Sequence, residues 1–204
     1  MSFKLLQTTA VAAVVGLASI NTHAATIWLE PVTQDTTIGG VATLELWADG
    51  EGVAFLAGGL DVFYDETIVS YNDDFAFDAA FPTDPDFSRP GTSGDPDNCT
   101  TDPSALGCSG PGEINGIAFG NFNGIADTVT LVGTLSFTGL SVGVSPITMA
   151  TNDLPAGDWY DVNGSLMDVI YRGAHFGVPV PAAVWLMTSG LAVLLGFTRK
   201  RKTV

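Results

Sequence analysis

The chain has 204 residues, with 22 Asp and Glu against seven Lys and Arg, which gives a formal net charge of −15. Every acid lies between Glu30 and Asp168, whereas five of the seven bases lie in the first five or the last six residues. Only Arg89 and Arg172 remain in the body, so its field repels phosphate backbones and excludes nucleic-acid binding. The length suits a single domain of about 150 residues with its own core.

Residues 1–24 have the layout of a secretory signal peptide. A basic start and a mostly apolar stretch, Leu5 to Ile20, precede Thr22-His23-Ala24, which puts small residues at −3 and −1 of a cleavage site. The alternative is a retained membrane anchor, but the apolar run is short and interrupted by polar residues. We therefore expect export by the Sec route and a mature protein that begins at Ala25.

The body, residues 25–177, shows the period of short strands and no sustained helical period. Val41–Ala48 places Leu44, Leu46 and Ala48 on one face and Thr43, Glu45 and Trp47 on the other. Four further strands are predicted, at Thr26–Val32, Gly58–Tyr64, Thr128–Leu140 (interrupted at Gly133) and Leu166–Tyr171. Many short strands separated by Gly, Asn and Asp predict an all-β, antiparallel sandwich.

Residues 82–112 are rich in Pro and Asp, which favour neither sheet nor helix, and are predicted to form an irregular insertion loop. The only two cysteines, Cys99 and Cys108, lie in this loop. In an exported chain such a pair predicts a disulfide. A metal site is the alternative, but two thiols without a nearby histidine make a poor zinc site.

A short internal echo follows this loop. Asn115-Gly116-Ile117-Ala118 recurs eight residues later as Asn123-Gly124-Ile125-Ala126. We interpret the echo as two hairpin turns on either side of a short strand, Phe119 to Phe122. Eight residues are too few for a solenoid repeat, so the echo indicates β structure and no function.

Catalytic motifs are weak. Residues 139–143 match the G-x-S-x-G pattern of a nucleophile elbow, but no helical pattern follows, and a tight β-turn explains them better. His175 is the only histidine after signal cleavage, and we expect it at the surface. The acids are too numerous for spacing to single out a glycosidase pair. We expect no enzymatic activity, with a small secreted hydrolase of polysaccharides as the alternative.

Calcium is the one cofactor that the sequence suggests. Asp158, Asp161 and Asn163 place oxygen donors before Gly164, and hard cations prefer several such oxygens in a flexible loop. The spacing does not fit an EF-hand, and Asn163-Gly164 by itself indicates a type I′ hairpin. The Asp-rich segment 84–102 is a similar, weak candidate.

The C-terminal segment is apolar and ends in bases. Residues 181–198 contain no charge, close to the shortest helix that spans a bilayer, and Arg199, Lys200, Arg201 and Lys202 follow. The pattern predicts a transmembrane helix with its basic end in the cytoplasm. A buried helix of a globular core is the alternative, which the basic cluster fits poorly.

This tail, VPVPAAVWLMTSGLAVLLGFTRKRK, resembles the PEP-CTERM sorting signal of Gram-negative bacteria in its VPxPAAxWL form. The resemblance implies that a membrane-embedded exosortase recognises residues 178–204, cuts near the box Val178, Pro179, Val180, Pro181 and releases or transfers the body. The family's box has Glu where this chain has Val180. A different sorting enzyme or a permanent single-span anchor therefore stays open.

Residues 26–71 resemble the start of a cohesin domain. The stretches IGGVATLELWAD and AGGLDVFYDETIVSY carry this similarity, in which a strand ends at Tyr64-Asp65 and a turn leads to Ile68 and Val69. The resemblance implies a jelly-roll sandwich of a kind that binds other proteins or sits among carbohydrate-binding modules. No motif that binds a dockerin is visible in the sequence.

Together these features predict an exported, non-enzymatic binding or structural protein of the cell surface or extracellular matrix. As a precursor it would sit in the bacterial inner membrane with its C-terminus in the cytoplasm. The expected partners are an exosortase-like membrane protease or transpeptidase and either extracellular polysaccharide or another surface protein.

Overall fold

The computed structural model describes residues 24–79, 88–93, 112–125, 128–152, 157–180 and 182–199. These residues form thirteen strands and one helix: β1 (Ala24–Glu30), β2 (Thr33–Asp35), β3 (Val41–Asp49), β4 (Phe55–Phe63), β5 (Val69–Tyr71), β6 (Ala76–Phe77), β7 (Arg89–Ser93), β8 (Glu113–Ile125), β9 (Thr130–Gly139), β10 (Gly143–Thr151), β11 (Tyr160–Asp161), β12 (Asp168–Arg172), β13 (Ala174–Val178) and α1 (Ala182–Arg199).

The strands form two sheets. In the first sheet the order is β12-β1-β3-β9-β5, with β6 also on β9. In the second sheet it is β2-β13-β10-β4-β8-β7, with β11 also on β4. The pairs β1–β12 and β2–β13 are parallel, and the other pairs are antiparallel. The predicted all-β sandwich is thus confirmed.

The core lies between the sheets and follows the period-2 pattern of the strands. In β3, Leu44, Leu46 and Ala48 are fully buried, as predicted, whereas Glu45 is exposed. The facing sheet contributes large side chains that include Leu60, Val62, Ile114, Ile117, Phe119, Ile147 and Phe176. The predicted interruption of β9 is also present, because the β3–β9 register shifts next to Gly133.

The Asn-Gly echo does not form hairpins, and that prediction is wrong. Glu113–Ile125 is one strand, and its register with β4 shifts at two places. Gly116 and Gly124 both have positive φ, of 77° and 76°. Relative to β4, β8 has one extra residue at the shift near Gly116 and three at the shift near Gly124, and glycine in this conformation accommodates such bulges. Each copy of the echo therefore marks a bulge in a continuous strand.

Two turns differ from their predictions in detail. Asp161 and Ser165 close a hairpin in which Gly164 has positive φ but Asn163 does not, so the turn is not type I′, which needs both. Residues 140–142 form a short connection between β9 and β10, as predicted for the G-x-S-x-G stretch, but it joins the two sheets. The segment 82–112 is not wholly irregular, because β7 lies within it.

A helix forms at the predicted C-terminal position, from Ala182 to Arg199. The predicted transmembrane helix is nevertheless unsupported. Across the described part of the chain, no helix combines the length and the apolar character needed to cross a membrane.

Candidate functional site: a tryptophan face on the first sheet

The outer face of the first sheet carries two neighbouring tryptophans. Trp28 of β1 and Trp47 of β3 are direct register partners, and Trp28 also pairs with Arg172 of β12. The residues on either side of each tryptophan are buried in the core: Ile27, Leu29, Leu46 and Ala48. Because side chains alternate along a strand, both indoles point away from the core, and both are partly exposed.

The two indoles are held in place by hydrogen bonds from their ring nitrogens. Trp28 Nε1 donates to Glu30 Oε1 at 2.9 Å, and Trp47 Nε1 donates to Glu45 Oε2 at 3.0 Å. The ring centroids lie 6.4 Å apart, with 16° between the ring planes. The only polar atom of each indole is thus satisfied by its own strand, and any further contact to the rings involves their apolar surface.

A groove of about 380 Å³ runs along β1 beside Trp28. Its polar lining consists of Thr26, Glu30, Asp49, Glu51 and Arg172, and its other lining residues are Trp28, Leu29, Val32 and Gly173. The groove therefore combines an aromatic surface, hydrogen-bond acceptors with negative charge and one guanidinium group that only donates. We call these lining residues, together with Trp47 and Glu45, the tryptophan face.

Glu51 reaches the groove from the turn after β3 in an uncommon backbone conformation. Its φ is 50°, in a region that residues other than glycine seldom adopt. The amide of Glu51 donates to Asp49 Oδ1 at 2.8 Å, and Thr26 Oγ1 donates to Glu51 Oε1 at 2.8 Å. The first hydrogen bond stabilises the turn, and the second ties the Glu51 carboxylate to β1 at the groove.

The same sheet surface continues into a polar ladder across β9 and the chain after β5. Asn72 Nδ2 donates to Ser136 Oγ at 2.7 Å, and Thr138 Oγ1 donates to Asn72 Oδ1 at 2.7 Å. Ser136 Oγ also donates to the carboxylate of Asp74. This part of the surface is hydrophilic, whereas the apolar side chains exposed on the same outer face include Ile170 of β12 and Val41 of β3 besides the tryptophan pair.

The site residues that were predicted from the sequence lie outside the tryptophan face. Val178 is buried in β13, so the sandwich extends one residue into the predicted sorting box, whereas Pro179 and Val180 are exposed. Pro181 and the bases Lys200, Arg201 and Lys202 fall outside the described residues, as do Cys99 and Cys108. Their predicted disulfide stays a prediction.

Two of the suggested calcium ligands, Asp158 and Asp161, accept hydrogen bonds from residues close in sequence. Asp161 Oδ1 accepts hydrogen bonds from the amides of Asn163 and Ser165, both at 2.8 Å, and Asp158 accepts one from the hydroxyl of Tyr160 at 3.4 Å. Within the ranges that the structure covers, no group of three His, Cys, Asp or Glu side chains is arranged to hold a metal ion.

The sequence places Trp47 on the face of its strand opposite Leu44, Leu46 and Ala48, and the structure shows that this face is the outer one. The pairing of Trp47 with Trp28 was not predicted from the sequence. The alternation within β1 was a usable signal, because Ile27 and Leu29 flank a single outward tryptophan. The positions of Arg172 and Glu51 depend on strand register and on a turn conformation, which spacing along the chain does not reveal.

Comparison with solved structures identifies the architecture. A non-cellulosomal cohesin from Archaeoglobus fulgidus superposes with a TM-score of 0.53 at 12% identity, covering 80% of this chain and 97% of that one. A type I cohesin from Pseudobacteroides cellulosolvens gives 0.55 at 10%, covering 77% and 93%. The fold is a cohesin-like β-sandwich.

A third similar structure is a type I cohesin–dockerin complex from Clostridium thermocellum, with a TM-score of 0.55 at 12% identity and coverage of 77% of this chain and 94% of that one. No protein-family model and no curated protein matches the sequence. At such low identity the likeness concerns the fold alone, and it agrees with the resemblance seen in residues 26–71.

Proposed function

We propose that this protein is an exported binding module without catalytic activity, and that it binds its ligand through the tryptophan face. The observation that carries the proposal is the pair Trp28 and Trp47, held by hydrogen bonds on the outer face of the first sheet. Tryptophan is enriched among residues that dominate binding energy, because a large rigid surface is buried with little loss of side-chain freedom.

The cohesin-like fold supports a binding role. One of the similar structures is a cohesin in complex with a dockerin, a protein partner. A sandwich of two sheets offers wide, rigid faces on which side chains keep fixed spacings. The tryptophan face uses such a surface, with strand register setting the positions of Trp28, Trp47 and Arg172.

Binding and hydrolysis can be separated in one experiment. The full chain in mild detergent is incubated with cell-surface material of the producing bacterium, divided into polysaccharide and protein fractions. We expect retention on one fraction, a loss of at least tenfold in affinity for Trp28→Ala, and no release of reducing ends.

Phe63→Ala provides the matched control, because Phe63 is an exposed aromatic residue of the second sheet. Its binding is expected to equal that of the wild type. Retention that Trp28→Ala leaves unchanged would contradict the tryptophan face as the site. Release of reducing ends in proportion to protein would instead support the alternative of a secreted hydrolase.

The termini are proposed to direct export and sorting. Val180 is 42% exposed between the sandwich and α1, which makes this part of the box accessible to a processing enzyme. In α1, Trp185, Leu186 and Leu194 are each more than 60% exposed, so the helix presents an apolar surface that another molecule has to cover. An exosortase-like membrane enzyme that recognises the tail would provide such a cover.

Intact mass of the protein from cells and medium tests this sorting. We expect a mature species that begins at Ala25, one residue after the start of β1, and lacks Trp185 and everything after it. Neutral replacement of Arg199 to Lys202 should impair this processing, while Asp168→Asn, a charge change in the body, should not. A mature species that retains Val204 would contradict sorting, and one that retains Met1 would contradict signal cleavage.

A further inference from the structure

We propose that the groove beside Trp28 binds a neutral oligosaccharide, with a sugar ring packed on the Trp28 indole. This inference rests on the proposed function, because it names the ligand class of the same face. The groove volume of about 380 Å³ lies within the roughly 300–1,000 Å³ of small-molecule sites. The groove is partly open to solvent, so a chain of sugars can extend beyond it.

The indoles suit the apolar side of a sugar. The carbon-bound hydrogens of a pyranose ring carry a small positive charge, and the face of an aromatic ring carries a negative one. A flat sugar face therefore packs favourably on a partly exposed indole. Because Glu30 and Glu45 fix the ring nitrogens at 2.9 and 3.0 Å, little side-chain freedom remains to be lost on binding.

The polar lining suits sugar hydroxyl groups. A hydroxyl both donates and accepts, and the groove offers carboxylates that accept and a guanidinium that donates. Asp49 and Glu51 lie on the β3 side of Trp28, and Arg172 lies on its β12 side. Hydroxyls of a bound oligosaccharide can thus bond to groups of either charge on the two sides of Trp28, and hydrogen bonds to charged groups are the stronger kind.

Charge favours a neutral ligand. Glu30, Asp49 and Glu51 line the groove against the single base Arg172, and the body as a whole is strongly acidic. A uronate or sulfate polymer would be repelled by this field. A cationic protein surface would be attracted, but the outward neighbours of the indoles are mainly polar, and a protein interface would have to desolvate several carboxylates at once.

The backbone conformation of Glu51 separately indicates that its side chain has a role in the groove. The turn after β3 keeps a glutamate at φ 50°, a conformation for which glycine is better suited. A residue held in such a conformation points to a role for its side chain. Here the carboxylate is placed over Thr26 in the groove.

Soluble oligosaccharides test the proposal with the full chain in mild detergent. The probes are neutral gluco-, manno-, galacto- and xylo-oligosaccharides, an oligogalacturonate and a nona-lysine peptide, followed by calorimetry and tryptophan fluorescence. We expect saturable binding of at least one neutral series and none of the oligogalacturonate. Trp28→Ala should weaken binding at least tenfold, and Arg172→Ala about fivefold, with Phe63→Ala unchanged.

Glu51→Gly separates recognition from stability. Glycine relieves the positive φ, which offsets the hydrogen bond that Thr26 loses, so thermal stability should be nearly unchanged. Binding should fall about fivefold because the carboxylate is lost. Equal affinity of Glu51→Gly and wild type would overturn the role of Glu51 in the groove.

The failure of this inference differs from the failure of the proposed function. If no neutral oligosaccharide binds but nona-lysine or a surface protein binds in a Trp28-dependent manner, the saccharide proposal is overturned and the binding module stands. Preference for the oligogalacturonate would likewise overturn a neutral ligand. If neither these probes nor cell-surface material bind through Trp28, both proposals fall.

Discussion

Replacing Trp159 with alanine is expected to lower the free energy of unfolding by about 4 kcal/mol, as is usual for removing a large buried aromatic side chain. Trp159 is 2% exposed and packs on two phenylalanines of the second sheet. Its ring centroid lies 5.5 Å from that of Phe55 and 5.1 Å from that of Phe119, both with edge-on geometry. Urea denaturation followed by circular dichroism measures the loss.

The surroundings of Trp159 give little room for relaxation after the indole is removed. A Cβ atom on Gly58 would lie 2.2 Å from Trp159 Cδ2, so the ring sits directly on the backbone of β4. Trp159 Nε1 donates to the hydroxyl of Tyr171 at 2.9 Å. Burial raises the pKa of Tyr171, so this hydroxyl remains protonated at neutral pH. Truncation removes packing and leaves the hydroxyl without this donor.

Two variants test whether the loss of stability comes from the packing of Trp159 or from the removal of any tryptophan. Trp159→Phe keeps an aromatic ring but loses the nitrogen donor. Its free energy of unfolding should therefore fall by less than half as much as that of Trp159→Ala. Trp185→Ala removes a tryptophan that is 70% exposed in α1 and should leave the unfolding curve unchanged. A loss below about 1 kcal/mol for Trp159→Ala would contradict the packing described for this residue.

Alternation made the longer amphipathic strands predictable. The inward-facing residues of β3, namely Leu44, Leu46 and Ala48, follow from residue order alone, because their exposure would leave apolar area in water. Strand β9 was predictable for the same reason, and its interruption was predictable because glycine, here Gly133, weakens the interior of a strand. Where apolar residues fall at every second position, burial on one face decides both the strand and its orientation.

The remaining elements depend on contacts between distant segments. Trp159 lies in a stretch rich in oxygen donors, and its burial follows from its contacts with Phe55, Phe119 and the backbone at Gly58, which are distant in sequence. The Asn-Gly echo has the local signal of a hairpin, but pairing along the whole of β4 keeps β8 continuous and turns each glycine into a bulge. The groove likewise needs register between β1, β3 and β12, which local spacing does not specify.

The bulge at Gly116 creates a buried polar cluster around Asp61. Leu60 and Val62 of β4 face the core, so Asp61 points to the other side of the second sheet, yet it is only 6% exposed. Its Oδ1 accepts a hydrogen bond from the amide of Gly116 at 2.8 Å and a second from Asn152 Nδ2. Asn152 Nδ2 also donates to Asn115 Oδ1 at 3.2 Å. The carboxylate therefore joins β4, the bulge of β8 and the end of β10.

Replacing Asp61 with alanine is expected to lower the free energy of unfolding by about 3 kcal/mol, because the amide of Gly116 and the buried side chain of Asn152 both lose an acceptor. Asp61→Asn keeps an oxygen for the Gly116 amide at nearly the same volume, so its loss should be about half as large. Urea denaturation of both variants measures the difference, and Asp168→Ala, at an exposed acid of β12, is the control. Equal stability of Asp61→Ala and wild type would show that the bulge is held by the β4–β8 ladder alone. A loss of stability in Asp61→Ala, with Asp61→Asn equal to wild type, would instead show that one acceptor oxygen at residue 61 is enough to hold the bulge. A bulge frees an amide from its strand partner, and the Asp61 side chain on the adjacent strand accepts a hydrogen bond from that amide.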